Sequence, residues 1–395
     1  MKYDKLGNLC LVKGGKRLPK GKALLDYKTE HPYLRITDYA SGNIDLENLK
    51  YISNDVFDSI SKYTINKKDI FLSIVGTIGI VDIIDEKLDG ASLTENAVKI
   101  IVKDRTKIDV NYLAYYLKST MGQYEIDIRT VGSTQKKLAI TRIKDIPVPV
   151  IEINKQRKIA SVLSSLDSKI KLNKQIISNL EELASTLFKR WFVDFEFPDE
   201  NGNPYKSSGG KMVDSEFGEV PEGWEINPLS SIAKITSGKR PYVKKTNPDK
   251  DNIIPIVGAS KIMGYTNQVL ENGSIITTGR VGTHGIIQRY REKVWVSDNS
   301  FIIKSDTEEF LNQILLRIDY KNLNRGSTQP LITQTDLKKY KIVLPSSKFI
   351  EMFESVISKL TECEFQIKKQ NLNLEKIRDS LLPKLLSGEI ELPED

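Results

Sequence analysis

Lys5-Leu-Gly-Asn-Leu-Cys-Leu-Val-Lys-Gly-Gly-Lys16-Arg17 returns later in the chain as Pro228-Leu-Ser-Ser-Ile-Ala-Lys-Ile-Thr-Ser-Gly-Lys239-Arg240. Three more echoes follow in the same order. Val75-Gly-Thr-Ile-Gly79 returns as Val281-Gly-Thr-His-Gly285, Gly132-Ser-Thr-Gln135 as Gly326-Ser-Thr-Gln329, and Ile146-Pro-Val-Pro149 as Ile342-Val-Leu-Pro345. A shared order makes this an internal duplication rather than a set of chance matches. The offset shrinks from 223 to 206 to 194 residues along the repeat, so the first copy is longer in its variable stretches.

Each copy has two parts. Residues 1–153 and 224–346 mix short β-rich runs with turn residues. Ile70-Phe-Leu-Ser-Ile-Val75, Ala97-Val-Lys-Ile-Ile-Val102, Gly273-Ser-Ile-Ile-Thr-Thr278 and Ser300-Phe-Ile-Ile-Lys304 read as strands, and residues 110–120 and 309–317 as helices. The two modules are therefore α/β. The second part of each copy, residues 154–193 and 347–388, is a long helix. Ile159, Leu163, Leu166, Ile170, Asn173, Ile177, Leu180, Ala184, Leu187 and Trp191 alternate steps of four and three, a heptad seam. In the second helix Val356, Leu360, Cys363, Ile367, Gln370, Leu374, Ile377 and Leu381 do the same, and Pro383 predicts a kink or stop near its end. At about 1.5 Å per residue the first helix spans about 58 Å from Asn154 to Phe192. A single seam needs a partner, and each helix is the other's obvious one. Asn173 and Gln370 are either tolerated at a wet edge or set the register of the pair.

Residues 194–223 form a linker with Pro198, Pro204, Pro221 and a Ser-Ser-Gly-Gly210 run, read as an ordered or semi-ordered crossing without a core of its own, and residues 389–395 are a tail. Leu392-Pro393 resembles Phe197-Pro198, and Met1 aligns by offset with Trp224. This cyclic order predicts two modules related by a pseudo-two-fold axis, joined by two long antiparallel coiled-coil helices.

The 395 residues exceed one ordinary domain, and 39% apolar with 28% charged residues exclude disordered and collagen-like chains. The longest apolar stretch, residues 70–84, is broken by Ser73, Thr77 and Asp82 and cannot span a bilayer; the first residues lack the apolar run of a signal peptide. Two cysteines, Cys10 and Cys363, suit a reducing cytoplasm, and two histidines, His31 and His284, argue against a metal site. The net charge of +7 is uneven: the linker carries −6, which leaves +13 for the remainder. Excess charge of this size fits either plain solubility or a polyanionic partner.

Catalytic machinery is missing from the pattern. Gly14-Gly-Lys-Arg17 and Ser237-Gly-Lys-Arg240 lack the spacing and hydroxyl of a phosphate loop. Asn203-Pro-Tyr205 is one proline short of a base-flipping methyltransferase clamp, and two histidines support no Ser/His/Asp set. What recurs is binding hardware. Lys16 and Arg17, with Lys13, Lys20 and Lys22 near, and Lys239 and Arg240, with Tyr242, Lys244 and Lys245, place cations on Gly-rich turns suited to phosphates. Ser133, Thr134 and Gln135, and Ser327, Thr328 and Gln329, place small donors and an amide on loops with Arg129 or Arg325 just upstream. Glutamine can bond adenine bidentately and arginine guanine. Thr77 and Asn96 in the first module, and Thr283, His284 and Asn299 in the second, are weaker candidates on echoing loops. Arg35-Ile-Thr-Asp38 is basic, whereas its apparent echo Val257-Gly-Ala-Ser260 is neutral. Two duplicated reading heads suit a split DNA site.

The order of variable module, Pro-x-Pro, Asn154-Lys-Gln-Arg-Lys-Ile-Ala, heptad helix, Lys189-Arg-Trp-Phe192 and Pro221-Glu-Gly-Trp224 resembles the specificity subunits of type I restriction–modification enzymes. The resemblance covers essentially the whole chain. It implies two target-recognition domains, each reading half of a bipartite double-stranded DNA site. It also implies that the helical pair sets the gap and docks two copies of a modification (methyltransferase) subunit. In that family the modification subunit uses S-adenosylmethionine to methylate adenine, and a restriction (motor and nuclease) subunit uses ATP with Mg2+; this chain would bind no cofactor and no membrane. The rival readings are a stand-alone DNA methyltransferase or nuclease with diverged motifs, and a coiled-coil scaffold that binds only protein.

Overall fold

A computed structural model describes residues 2–40, 43–132, 136–325 and 331–392. The chain forms two compact units, Met1–Asn173 with Lys369–Asp395, and Lys174–Lys368. Each is an α/β module carrying a segment of both long helices, so the linear order of modules and helices is not the order of packing.

In the first unit the central sheet runs Cys10–Gly14, Ala97–Val102, Ile70–Ser73, Val81–Ile83, antiparallel throughout. Alternation along the strands explains its two buried faces. Val98, Ile100, Ile70 and Leu72 enter the core shared with the helices, while Ala97 and Phe71 face a second sheet. That sheet, Lys50–Tyr51, Pro32–Leu34, Ala91–Leu93, Thr64–Ile65, contains one parallel pair, Tyr33 opposite Ser92 and Leu34 opposite Leu93. Lys99 also lies on this inner face and donates its ammonium to the Thr64 carbonyl. The helix expected over residues 110–120 is two. Val110–Lys118 is capped by the Asp109 carboxylate, and the Ser119 hydroxyl accepts from the Gly122 N–H to start Thr120–Asp127. Lys2–Lys5 pairs with Pro147–Val150 as a two-stranded ribbon, whose edges tolerate proline.

The second unit repeats the plan. Its central sheet runs Lys234–Ser237, Ser300–Lys304, Ile275–Gly279, Gln288–Tyr290, and a three-stranded sheet again holds a parallel pair, Ile256 opposite Trp295 and Val257 opposite Val296. Glu225–Pro228 pairs with Lys341–Leu344. These registers correct two sequence echoes. Val150 corresponds to Leu344 and Val148 to Ile342, two residues from the apparent match. Leu34 corresponds to Val257, so Gly258 rather than Val257 occupies the place of Arg35. Residues 194–223 are ordered, and they do more than cross. They hold a hairpin, Met212–Ser215 with Gly218–Pro221, and bury Phe197 against Tyr205, Trp224 and Phe349 with ring centroids 4.5, 5.0 and 4.3 Å apart.

The long helices are Ile153–Phe188, continued by a wider turn Lys189–Val193, and Ser347–Ser387. The second does not stop at Pro383; it runs to Ser387, where Gly388 at φ +78° ends it. Within the first unit the segments pack antiparallel. Ile159 and Leu163 share a core with Leu382, Leu385 and Leu386, Ile170 is buried, and Asp167 pairs with Arg378 at 2.8 Å. Within the second unit Ala184 and Phe188 pack with Phe353 and Ile357, and Glu181 meets Lys368 at 3.3 Å. Leu166, Ile177 and Leu180 are half-buried. The seam of the second helix lies one residue from the sequence reading: Phe353, Ile357, Thr361, Asn371 and Leu382 are buried. Leu360, Ile367, Leu374 and Leu381 flank it half-buried, while Val356, Cys363, Gln370 and Ile377 are exposed. The apolar pattern misplaces this seam because polar Thr361 and Asn371 occupy its central positions.

Candidate nucleic-acid interface

In the first module the strand Cys10–Gly14 runs into the basic turn. The Gly15 N–H donates to the Ala97 carbonyl (3.1 Å) and the Lys16 N–H to the Leu93 carbonyl (2.8 Å). A Cβ on Gly15 would lie 2.0 Å from the Thr94 carbonyl oxygen, so the close approach requires glycine. Tyr33 supports the turn from beneath, its hydroxyl donating to the Lys16 carbonyl at 2.7 Å; burial pushes that phenol up to about 12. Lys16 and Arg17 are exposed. Among the described residues Arg17 makes only a long 3.4 Å contact to Glu95, a surface pair of little energetic weight, and the Lys16 ammonium lies 5.6 Å from the centre of the Tyr63 ring. Arg17, Lys20, Lys22 and Asn96 line one shallow depression. Arg35 also lines it but is committed to buried Asp38, its Nε 3.1 Å from the carboxylate.

Two further loops meet the same end of the central sheet. The half-buried Asn96 accepts the Ile74 N–H on its backbone carbonyl at 2.8 Å. The turn from Gly76 (φ +74°) to Gly79 (φ +92°) is held by the Ser73 hydroxyl, which donates to the Thr77 carbonyl (2.6 Å) and accepts from the Ile80 N–H (2.8 Å). This leaves Thr77 exposed at the tip. Ser133, Thr134 and Gln135 lie outside the described residues, but their flanks are anchored here: Val131 pairs with Lys137, and the Leu138 N–H donates to the Ile74 carbonyl at 3.0 Å.

The second module gathers the same loops by the same backbone bonds. The Gly238 N–H donates to the Ser300 carbonyl and the Lys239 N–H to the Val296 carbonyl, both at 2.9 Å, and a Cβ on Gly238 would lie 2.2 Å from the Ser297 oxygen. Here the Trp295 indole N–H, not a phenol, supports the turn by donating to the Lys239 carbonyl at 2.7 Å. Lys239 and Arg240 are exposed, and Arg240, Tyr242, Lys244 and Asn299 line one depression. The Asn299 carbonyl accepts the Arg280 N–H, and the Ile332 N–H donates to the Arg280 carbonyl, each at 2.9 Å. Thr283 is exposed at its turn, and His284 is half-buried beside it. Ser327, Thr328 and Gln329 lie outside the described residues. Arg280 carries no mark in the sequence beyond its place immediately before Val281-Gly-Thr-His-Gly285.

Between the helices of the first unit, Asn173 is buried and its amide donates to Gln370 Oε1 and Asn371 Oδ1, both at 2.8 Å. The two polar residues singled out from the heptads therefore bond each other, and Asn371 joins them.

Chemically, each module offers two exposed cations on a glycine-locked turn beside polar loop tips, an arrangement that can engage a polyanion and hydrogen-bond what it carries. Burial raises the Glu354 carboxyl to about 7, but its oxygen accepts the Phe310 N–H (2.8 Å) at the start of Glu308–Leu315, not any group on these loops. Among the described residues no three His, Cys, Asp or Glu side chains cluster as metal ligands, and no helix is long and apolar enough to cross a membrane.

Two duplicated α/β modules with matching basic loops, each resting on a pair of long helix segments, define a class. A model of the type I restriction modification DNA specificity domain matches residues 1–182 and 221–375, and the chain belongs to this family. It is 28% identical over 403 aligned residues to the type I restriction enzyme MjaIX specificity subunit of Methanocaldococcus jannaschii, covering 92% of this chain and 90% of that relative. It is 24% identical to the HindI specificity subunit of Haemophilus influenzae, covering 71% of this chain and 76% of that one. The crystal structure of the S subunit of a type I restriction–modification system from M. genitalium shares the fold, with a TM-score of 0.59 at 19% identity and coverage of 100% and 96%.

Proposed function

We propose that this chain is the sequence-specific DNA-recognition subunit of a type I restriction–modification complex. It reads a bipartite, gapped double-stranded site, one part per module, and directs adenine methylation or cleavage by partner subunits. The carrying observation is the duplicated loop edge: Lys16-Arg17 and Lys239-Arg240 are held by equivalent backbone bonds, each beside its own set of polar loops. Exposed cations supply the phosphate attraction that dominates DNA affinity, and the variable loops supply the base contacts that discriminate. The long helices set the number of bases between the two parts.

The chain contributes no catalytic residue on this reading. A modification subunit, in two copies, brings S-adenosylmethionine, and a restriction subunit brings ATP and Mg2+; the assembly works in the cytoplasm.

The test is a base-modification map of DNA from cells expressing this chain with its native modification subunit, against cells lacking this chain. A two-part gapped motif methylated on adenine only when both are present is the expected result. No new motif would overturn the reading in favour of a protein scaffold. Methylation or cutting by the purified chain alone, given S-adenosylmethionine or Mg2+, would overturn it in favour of an enzyme.

A further inference from the structure

Arg280 follows the strand Ile275–Gly279 at the point where the loops of the second module meet. The first module has Ile74 at the same place. Ile74 takes the Asn96 carbonyl on its N–H and the Leu138 N–H on its carbonyl, and Val75 bridges to Lys137. Arg280 takes the Asn299 carbonyl and the Ile332 N–H in the same two roles, and Val281 bridges to Leu331. Ile74 is 5% exposed and belongs to the apolar core, so the slot is one that an aliphatic side chain fills well.

The arginine in that slot is unusual in its partners. Its guanidinium carbon lies 6.0 Å from the centre of the Phe301 ring. Its Nε is shielded from solvent and has no hydrogen-bond partner, and no carboxylate pairs with it among the described residues. Neighbouring arginines are engaged: Arg289 with Glu308 and Glu309, Arg291 with Glu362, Arg317 with Gln313 and Ser185, and Arg325 with Asp336. Four residues on, His284 Nε2 is likewise shielded and unpaired. The buried Nε cannot itself reach a ligand, but the two terminal amino groups of the guanidinium, which are not among the shielded atoms, also have no hydrogen bond among the described residues, and this unpaired end calls for a partner. At the edge of a DNA-reading surface that partner is a base carrying two acceptors side by side. Guanine presents O6 and N7 in that way to the arginine fork.

We propose that Arg280 is a specificity-determining residue that reads a guanine in the half-site taken by the second module, and that the first module, with Ile74, reads no base from this position. This rests on the DNA-recognition reading above and adds to it an asymmetry between the half-sites.

The experiment maps the methylated motif for the chain co-expressed with its native modification subunit, as wild type, Arg280→Ile and Arg280→Lys, with melting of each variant measured in parallel. Arg280→Ile installs the side chain that the first module carries. The expected result is that preference for guanine falls roughly 5- to 150-fold at one position in one part of the motif, with the other part and the gap unchanged. Arg280→Lys keeps the charge without the planar fork and relaxes the same position less. An unchanged motif in Arg280→Ile overturns the proposal. So does a uniform loss of methylation that Arg280→Lys restores in full, which is what a phosphate contact gives. If Arg280→Ile fails to fold, Arg280→Lys decides, and an unchanged motif there overturns the proposal equally. A wild-type chain that yields no gapped motif would instead refute the DNA-recognition reading, a separate and distinguishable failure.

Discussion

The two units reach one backbone plan through different side chains. In the first, the helix segments are held to the module by aliphatic residues around Leu163, Leu382 and Leu385, with a polar chain in which the Tyr115 hydroxyl donates to Asp167 (2.7 Å) and Asp167 pairs with Arg378. In the second, the same junction is aromatic and ionic. Phe188, Phe192, Phe310 and Phe353 pack with centroids 5.0 to 5.8 Å apart, and Arg289 bonds both Glu308 and Glu309, while the Thr361 hydroxyl donates to Glu309 at 2.8 Å. What both units keep is indifferent to side chains: N–H to carbonyl bonds and a glycine pressed against a carbonyl. Side chains on such a frame are free to differ, in the core as at the loop edge.

The largest test of that contrast is Phe188→Ala. It should cost the second unit about 3–5 kcal/mol, as for other buried aromatics, and leave hydrogen-exchange protection in the first module unchanged. Equal loss in both would mean that the units do not have separate cores.

The next is electrostatic and again confined to one unit. Burial raises Glu354 from 4.5 to about 7, so folding favours its protonated form. Below pH 4.5 both states are protonated and the contribution is complete. As pH rises towards 7 the unfolded chain ionises first, so stability of the second unit falls across that window and is level above it. The fall is at most about 3 kcal/mol, and Glu354→Gln should abolish it in denaturant titrations run at pH 5 and pH 7.5. In the first unit Ala160 occupies the corresponding turn of its helix, so this position contributes no pH dependence there.

The smallest effect should be the same in both units. Lys16→Ala and Lys239→Ala should each weaken binding to all DNA sequences alike and lower the salt slope by about one phosphate. A slope that changes for one and not the other would break the equivalence of the two turns.

The duplication was legible because its marks are glycines and basic pairs at fixed order, and the strands Ala97–Val102 and Ser300–Lys304 because β-branched residues fill them. Registers were less legible. Strands of two or three residues, such as Lys50–Tyr51 and Pro32–Leu34, are too short for a period to show, so the sequence echo sets Arg35 one residue from its true counterpart. The seam of the second helix was misplaced for a different reason: Thr361 and Asn371 are buried by hydrogen bonding, and an apolar count passes over them. Arg280 was invisible in the duplication itself, since its counterpart is an isoleucine and the echo begins one residue later.

The pairing of residues from both ends of the sequence in one unit also orders events on the ribosome. The second unit is the contiguous stretch Lys174–Lys368 and can close as soon as it has emerged. The first unit waits for Leu382, Leu385 and Leu386, made about two hundred residues after Leu163, so Ile159 and Leu163 are left uncovered in the interval. Nascent chains of this protein should therefore present a sticky helix face to chaperones for most of their synthesis, and slow translation of the second module would lengthen that exposure.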